Sequence, residues 1–286
     1  MKGMGLKILL LAIVTLSAFA ANSLLCRMAL KDLHIDPISF SSLRLISGAL
    51  VLLIYMQVKR GVRNIEWNSI SAGCLMVYVF AFSAAYVFME AATGALLLFG
   101  SVQIAMTVWG QWRGERMTMR KAAGMLTALA GFCLLLLPGA KSPPLLPALL
   151  MILSGLAWAA YSLRGRQAHD PSAATAGNFI LCVPVVLIIA LLMRHSIEAD
   201  ATGILLALLS GGLTSGAAYV LWYALLPYFS AATASTLQLL VPCIALAGGV
   251  ILIGESPDSR MLLATVTILV GIALVIRADR QRTERR

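Results

Sequence analysis

The sequence predicts an all-α membrane protein of ten transmembrane helices, built as two five-helix repeats of inverted topology. Three observations predict it. Of 286 residues, 60% are hydrophobic and only 12% charged, with mean hydropathy +0.91. Soluble domains are about a quarter charged, so this chain has too little polar surface for one. Disorder needs few apolar residues and much charge, and is excluded on the same numbers. The second observation is the division of the apolar residues into ten runs. The third is that the second half of the chain repeats the first.

The runs cover 6–25, 38–58, 70–89, 92–112, 121–138, 145–163, 173–193, 202–223, 230–253 and 260–277. Each approaches the roughly 20 apolar residues that span a bilayer as a helix. Backbone polar groups find no water in hydrocarbon, so each run must bond within itself as a helix. Charges, prolines or polar turns bound the runs, as at Lys59-Arg60-Gly61, Lys141-Ser142-Pro143-Pro144 and Glu255-Ser256-Pro257-Asp258. The first run also fits a secretory signal peptide, with Lys2 and Lys7 ahead of it and Ala18-Phe19-Ala20 as a cleavage site. The repeat instead makes it a retained first helix.

Lysine and arginine set the orientation. With the N-terminus inside, sixteen of them fall on the inner side and five on the outer, and only Arg44 lies within a span. That bias puts both termini in the cytoplasm. The net charge of +10 is scattered in short clusters between runs and does not predict nucleic-acid binding. Cys74, Cys133, Cys182 and Cys243 lie in apolar runs, and Cys26 lies near the edge of one. No CxxC pair or Cys/His cluster accompanies them, so they read as packing residues rather than disulfides or metal ligands.

At an offset of 140 residues, 91–136 aligns with 231–276 without a gap. Ala91-Ala92-Thr93 matches Ala231-Ala232-Thr233, Gly114-Glu115 matches Gly254-Glu255, Arg120 matches Arg260, Thr127 matches Thr267, and Gly131 matches Gly271. Earlier parts correspond at shifted offsets: Phe19-Ala20-Ala21-Asn22 with Trp158-Ala159-Ala160-Tyr161, and Asp36-Pro37 with Asp170-Pro171, which sets Arg44 against Asn178. The repeats are 1–140 and 141–286, the second with a short basic tail. Five spans is an odd number, so the second copy enters the membrane upside down. Inverted halves recur in secondary transporters, where they exchange an inward-open for an outward-open arrangement.

On these residues, with Leu221-Trp222-Tyr223-Ala224-Leu225 before Ser230-Ala231-Ala232, nearly the whole chain resembles the drug/metabolite transporter superfamily, specifically its ten-helix EamA type. The resemblance implies a basket of helices around a central cavity. It implies a carrier of the cell inner (cytoplasmic) membrane, often an exporter, of small polar metabolites such as amino acids. Phe19 departs from it, standing where the family often has tryptophan.

Arg44 is the strongest candidate site residue. A charge at mid-bilayer costs about 2.5–3.5 kcal/mol on insertion scales, and a guanidinium binds carboxylate or phosphate in a forked geometry. The alternatives are a structural bond to helix-end carbonyls or an outward-reaching side chain. Asn22 and Tyr161 occupy matching places and can offer hydrogen bonds in a wet cavity. Phe99, Gln103, Met106 and Gly110 share a helix face, as do Gln238, Pro242, Ala245 and Gly249. Pro242 leaves the Gln238 carbonyl without its helical partner. Trp158, Tyr219 and Trp222 are deep enough for an aromatic wall, whereas Trp112 and Tyr228 sit at span ends as interfacial anchors. The predicted substrate-binding set is therefore Asn22, Arg44, Phe99, Gln103, Trp158, Tyr161, Asn178, Tyr219, Trp222 and Gln238.

Glu90 is the candidate for proton coupling. Glu115 and Glu255 read as loop turns or as caps of the helices that follow them. His34, His169 and His195 lie in loops, no acid lies deep in a span, and Ser17, Ser101 and Ser154 lack an evident base. No catalytic residue, metal site or cofactor is therefore predicted. No Walker A pattern occurs, so ATP is not the direct energy source. The expected partners are a small-molecule substrate and membrane lipids, with a homodimer left open. A scaffold subunit or an intramembrane lipid-modifying enzyme are the readings from other classes.

Overall fold

A computed structural model describes residues 2–59, 64–114, 117–136, 143–193, 197–256 and 259–283. Among them the chain is nearly all helix. There is no strand, only an isolated bridge between Ile35 and Ala199. The helices are α1 (Lys2–Lys31), α2 (Pro37–Lys59), α3 (Ser69–Tyr86), α4 (Ala91–Trp112), α5 (Met119–Leu136), α6 (Leu145–Arg166) and α7 (Pro171–Leu192). α8 (Ala201–Gly211) passes through a π-helical turn (Gly212–Ala217) into α9 (Ala218–Leu225). α10 (Ala231–Gln238), α11 (Leu240–Gly248) and a second π-helical turn (Gly249–Ile253) precede α12 (Ser259–Thr283). Eight helical stretches are long and apolar enough to cross a membrane: α1 to α4, α6, α7, Ala201–Tyr228 and Thr233–Ile253. The predicted spans 121–138 and 260–277 lie on α5 and α12, and residues 137 and 138 fall outside the described part.

Local chemistry sets the helix starts. Asn68, Asp170, Asp200 and Ser230 each accept a first-turn N–H with the side chain, which removes orphan donors a helix start leaves. One boundary differs from expectation, and one span is interrupted where its proline suggests. α1 runs to Lys31 rather than ending near residue 25: Arg27 continues the helix, and its Nη1 donates to the carbonyls of Tyr86 and Val87 at the end of α3 at 2.9 and 3.1 Å. The ninth predicted span is not one rod. It turns at Leu239, where Pro242 cannot donate to the Gln238 carbonyl.

Helices pack where small residues let backbones approach. A Cβ on Gly124 would lie 2.9 Å from the Gly271 carbonyl oxygen, and one on Gly131 would lie 2.8 Å from that of Ala264. These contacts join α5 to α12. Gly211 packs as tightly on the Arg44 carbonyl and the Ser47 hydroxyl, joining α8 to α2. Other packings come in twos: α1 with α8 and α6 with α3, α1 with α11 and α6 with α4, α2 with α8 and α7 with α3.

Candidate functional site

The centre of the bundle is almost filled. A cavity of about 10 Å³ remains, lined by residues of α1, α3, α4, α6, α9 and the first π turn. Such a volume holds about one water. Four predicted residues line it: Asn22, Phe99, Trp158 and Tyr219. Phe19, Ser23, Tyr78, Phe82, Leu98 and Thr214 complete the wall. The aromatic rings close on each other. Trp158 lies 4.7 Å from Tyr219, 5.1 Å from Tyr78 and 5.5 Å from Phe19 by ring centroids. These are ordinary attractive ring contacts.

Arg44 stands behind this wall rather than in it. Its side chain is fully buried. Nε donates to the Ser215 hydroxyl at 2.9 Å, and Nη2 donates to the hydroxyls of Tyr78 at 2.8 Å and Tyr219 at 3.3 Å. The guanidinium carbon lies 5.1 Å from the Tyr78 ring centre and 5.0 Å from that of Phe82. Nη1 has no partner, and no carboxylate among the described residues pairs with the group. The cation is thus met by neutral oxygens and ring faces, and its charge is unanswered. The π turn supplies this arrangement: by widening the helix it places Thr214 and Ser215 on the side facing α1 and α2.

The other predicted residues fall into separate groups. Asn22 accepts from Ser210 and Thr214 at 2.7 and 3.2 Å. Trp158 donates through its indole N–H to Gln238 Oε1 at 2.8 Å, so Gln238 braces the wall from outside the cavity. Gln103 donates to Thr236 at 3.0 Å, while its Oε1 has no partner. The buried Tyr161 hydroxyl, Asn178 Oδ1 and Trp222 indole N–H also have none. Tyr161 lies 5.8 Å from Trp158 without lining the cavity.

Sequence reasoning missed Tyr78, Phe82 and Ser215. For Tyr78 and Ser215 the available signal was a hydroxyl in mid-span, which a membrane helix does not bury idly; Phe82 carried none. Arg27 was also missed as a working residue. Of the two readings of Gly254-Glu255, the loop turn is the one seen. Gly254 takes a left-handed turn (φ 69°) and Glu255 folds back onto α4, where both carboxylate oxygens accept the Ala91 N–H at 3.1 and 3.2 Å. Oε1 lies 3.5 Å from Arg27 Nε. Burial pushes the Glu255 carboxyl above its usual range; Glu90 adds to this, while the Ala91 N–H and Arg27 oppose it. Glu90 holds the cap position of α4 without making a side-chain cap bond. Glu115 lies outside the described residues.

Residues 145–277 match the EamA-like transporter family. An uncharacterized protein of Pseudomonas aeruginosa is 46% identical over 271 residues, covering 94% of each chain. An uncharacterized transporter of Archaeoglobus fulgidus is 26% identical over 290 residues, covering 95% of this chain and 98% of its own. A crystal structure superposes with a TM-score of 0.73 over 93% of this chain and 98% of that one; at 20% identity the likeness is one of fold.

Proposed function

The chain belongs to the EamA-like transporter family, and from that premise we propose that it exports a small carboxylate-bearing metabolite, such as an amino acid, by alternating access across the cell inner membrane. One observation carries the choice of substrate: the buried Arg44 guanidinium, held behind the cavity wall by Tyr78, Ser215 and Tyr219, with no acid among the described residues paired to it. An unanswered charge away from water is expensive. A carboxylate entering the cavity answers it through the free Nη1. Two of the hydroxyls that hold Arg44, those of Tyr78 and Tyr219, belong to cavity-lining residues, so the arginine and the solute share one wall.

A space for one water does not admit an amino acid. Binding therefore requires the rings of Phe19, Tyr78, Trp158 and Tyr219 to part, and the arrangement described is a contracted one. That α1 packs on α8 as α6 packs on α3 supports a carrier whose two halves rock against each other.

Flux of a radiolabelled amino acid panel into inverted vesicles tests this. At least one carboxylate-bearing solute should show saturable flux. Arg44→Ala should lower its kcat/KM by about 10- to 100-fold, the worth of a charged hydrogen bond at 1.5–3 kcal/mol. Arg44→Lys should lower it less. Equal flux in wild type and Arg44→Ala, at equal expression, removes the anion site.

A further inference from the structure

One end of the bundle is closed in layers. On α1, Ser23 lines the cavity and Arg27 lies one turn beyond; on α3, Phe82 lines it and Tyr86 lies one turn beyond. Tyr86 is fully buried, edge-on to Phe82 at 4.6 Å. Its hydroxyl donates to the Ala91 carbonyl at 3.1 Å, and its ring lies on Gly94, where any Cβ would overlap it. Tyr86 is thus a lid over Phe82 and the cavity. Above it, Arg27 holds the Tyr86 and Val87 carbonyls, and Glu255 holds both Arg27 and the Ala91 N–H. Glu255 is 10% exposed and Arg27 13%. Gly249 leaves the space into which the Glu255 carboxylate folds. A single side chain from the loop after α11 therefore ties down the end of α1 and the start of α4, and through Arg27 the end of α3.

We propose that Glu255 is the latch of this end: seated on Ala91 and Arg27 it keeps Tyr86 over the central cavity, and when it leaves that seat the cavity opens. In the orientation that the basic residues predict, this is the outer gate. The inference rests on the carrier reading for its purpose. The seat is one backbone N–H and one ion pair at 3.5 Å. A closure of that size is one that thermal motion opens and recloses, as a gate requires.

Cys26 provides the reporter. It is fully buried on α1, one residue before Arg27, in the layer between the seat and the cavity-lining Asn22 and Ser23 of the same helix. Full-length protein keeping Cys26, with Cys74, Cys133, Cys182 and Cys243 replaced by serine or alanine, is placed in lipid nanodiscs, where both faces meet the reagent. The probe is a membrane-impermeant maleimide, and no solute is present. Labelling should be slow in this background and about tenfold faster in Glu255→Ala. Glu255→Gln, which keeps an oxygen for the Ala91 N–H, should stay near the background rate. Should Glu255→Ala fail to elute as a folded species, Glu255→Asp carries the test, since its stem is one methylene too short for the seat; a smaller rise is expected. Equal rates with and without the Glu255 side chain, or with and without that methylene, overturn the latch. Because labelling needs no solute, a failed latch leaves the Arg44 flux result standing, and the reverse also holds.

Discussion

Arg44, fully buried, and Arg27, half-buried, are both arginines of the first half of the chain, and their surroundings answer them differently. At the end of the bundle, Arg27 meets two carbonyls and a carboxylate. At the centre, Arg44 meets three hydroxyls and two ring faces, and its Nη1 meets nothing. The end shows that this chain can deliver an acid to a half-buried arginine where the fold needs one. The centre withholds it. A charge met by an acid of the fold serves the fold, while a charge left open behind the cavity wall is available to something that parts that wall.

The sharpest way to break this comparison is to give Arg44 what Arg27 has. Ser215 Oγ lies 2.9 Å from Arg44 Nε, so Ser215→Asp places a carboxylate on the guanidinium. The fixed acid should compete with the solute, and flux should fall by at least about tenfold, or 1.4 kcal/mol. The folded protein should survive, because a buried pair with good geometry is close to neutral for stability. Retained flux in Ser215→Asp would show that the open valence of Arg44 does not serve the solute.

Next in size are the hydroxyls that hold Arg44. Tyr78→Phe leaves a buried guanidinium N–H without its 2.8 Å partner and should cost about 1–3 kcal/mol. Tyr219→Phe removes a bond of 3.3 Å and should cost less. Melting of the purified protein, followed by size-exclusion fluorescence, ranks them. Two equal and negligible shifts would mean that Arg44 finds its partners elsewhere.

The titration of Glu255 sharpens the other side of the comparison. The groups facing it are Arg27 on α1, Tyr86 on α3 and Glu90 at the start of α4. Burial raises its pKa above the ordinary value, so the seated form binds a proton more tightly than a solvated Glu255 does. The seat is therefore weakest above the raised pKa, strengthens as pH falls through it, and gains nothing further below the ordinary value. Relative to Glu255→Gln, which corrects for thiol chemistry, Cys26 labelling should slow on acidification across that window. A ratio independent of pH would mean that Glu255 does not titrate in its seat.

The same contrast explains what was legible in the sequence. The helical spans follow from composition and run length, which are local, and Arg44 follows from being a lone charge in such a run. Its partners Tyr78 and Ser215 stand 34 and 171 residues away. Hydropathy carries no information about which hydroxyls meet in the folded bundle. Glu255 was legible as a helix-end glutamate after glycine, but its partner Ala91 lies 164 positions earlier. The left-handed turn at Gly254 sends it backward, and chain order alone would send it forward. Phe99, Gln103 and Met106 were rightly placed on one buried face, yet periodicity does not say which of them reaches the cavity; only Phe99 does.

The smallest expected effect concerns Gln103, which stands between the two regimes. Its Nε2 is spent on Thr236 at 3.0 Å, joining α4 to α10, while its Oε1 is buried and unanswered. Interhelical bonds of this kind are worth about 0.6 kcal/mol on average, so Thr236→Val should shift stability by about that much and leave flux near wild type. Gln103→Ala removes the brace and the free oxygen together. If the oxygen serves the solute when the aromatic wall parts, Gln103→Ala should lower flux several-fold with membrane insertion intact, while Thr236→Val does not. If both variants lower flux equally, Gln103 is a brace like Arg27, and the open chemistry of the centre reduces to Arg44.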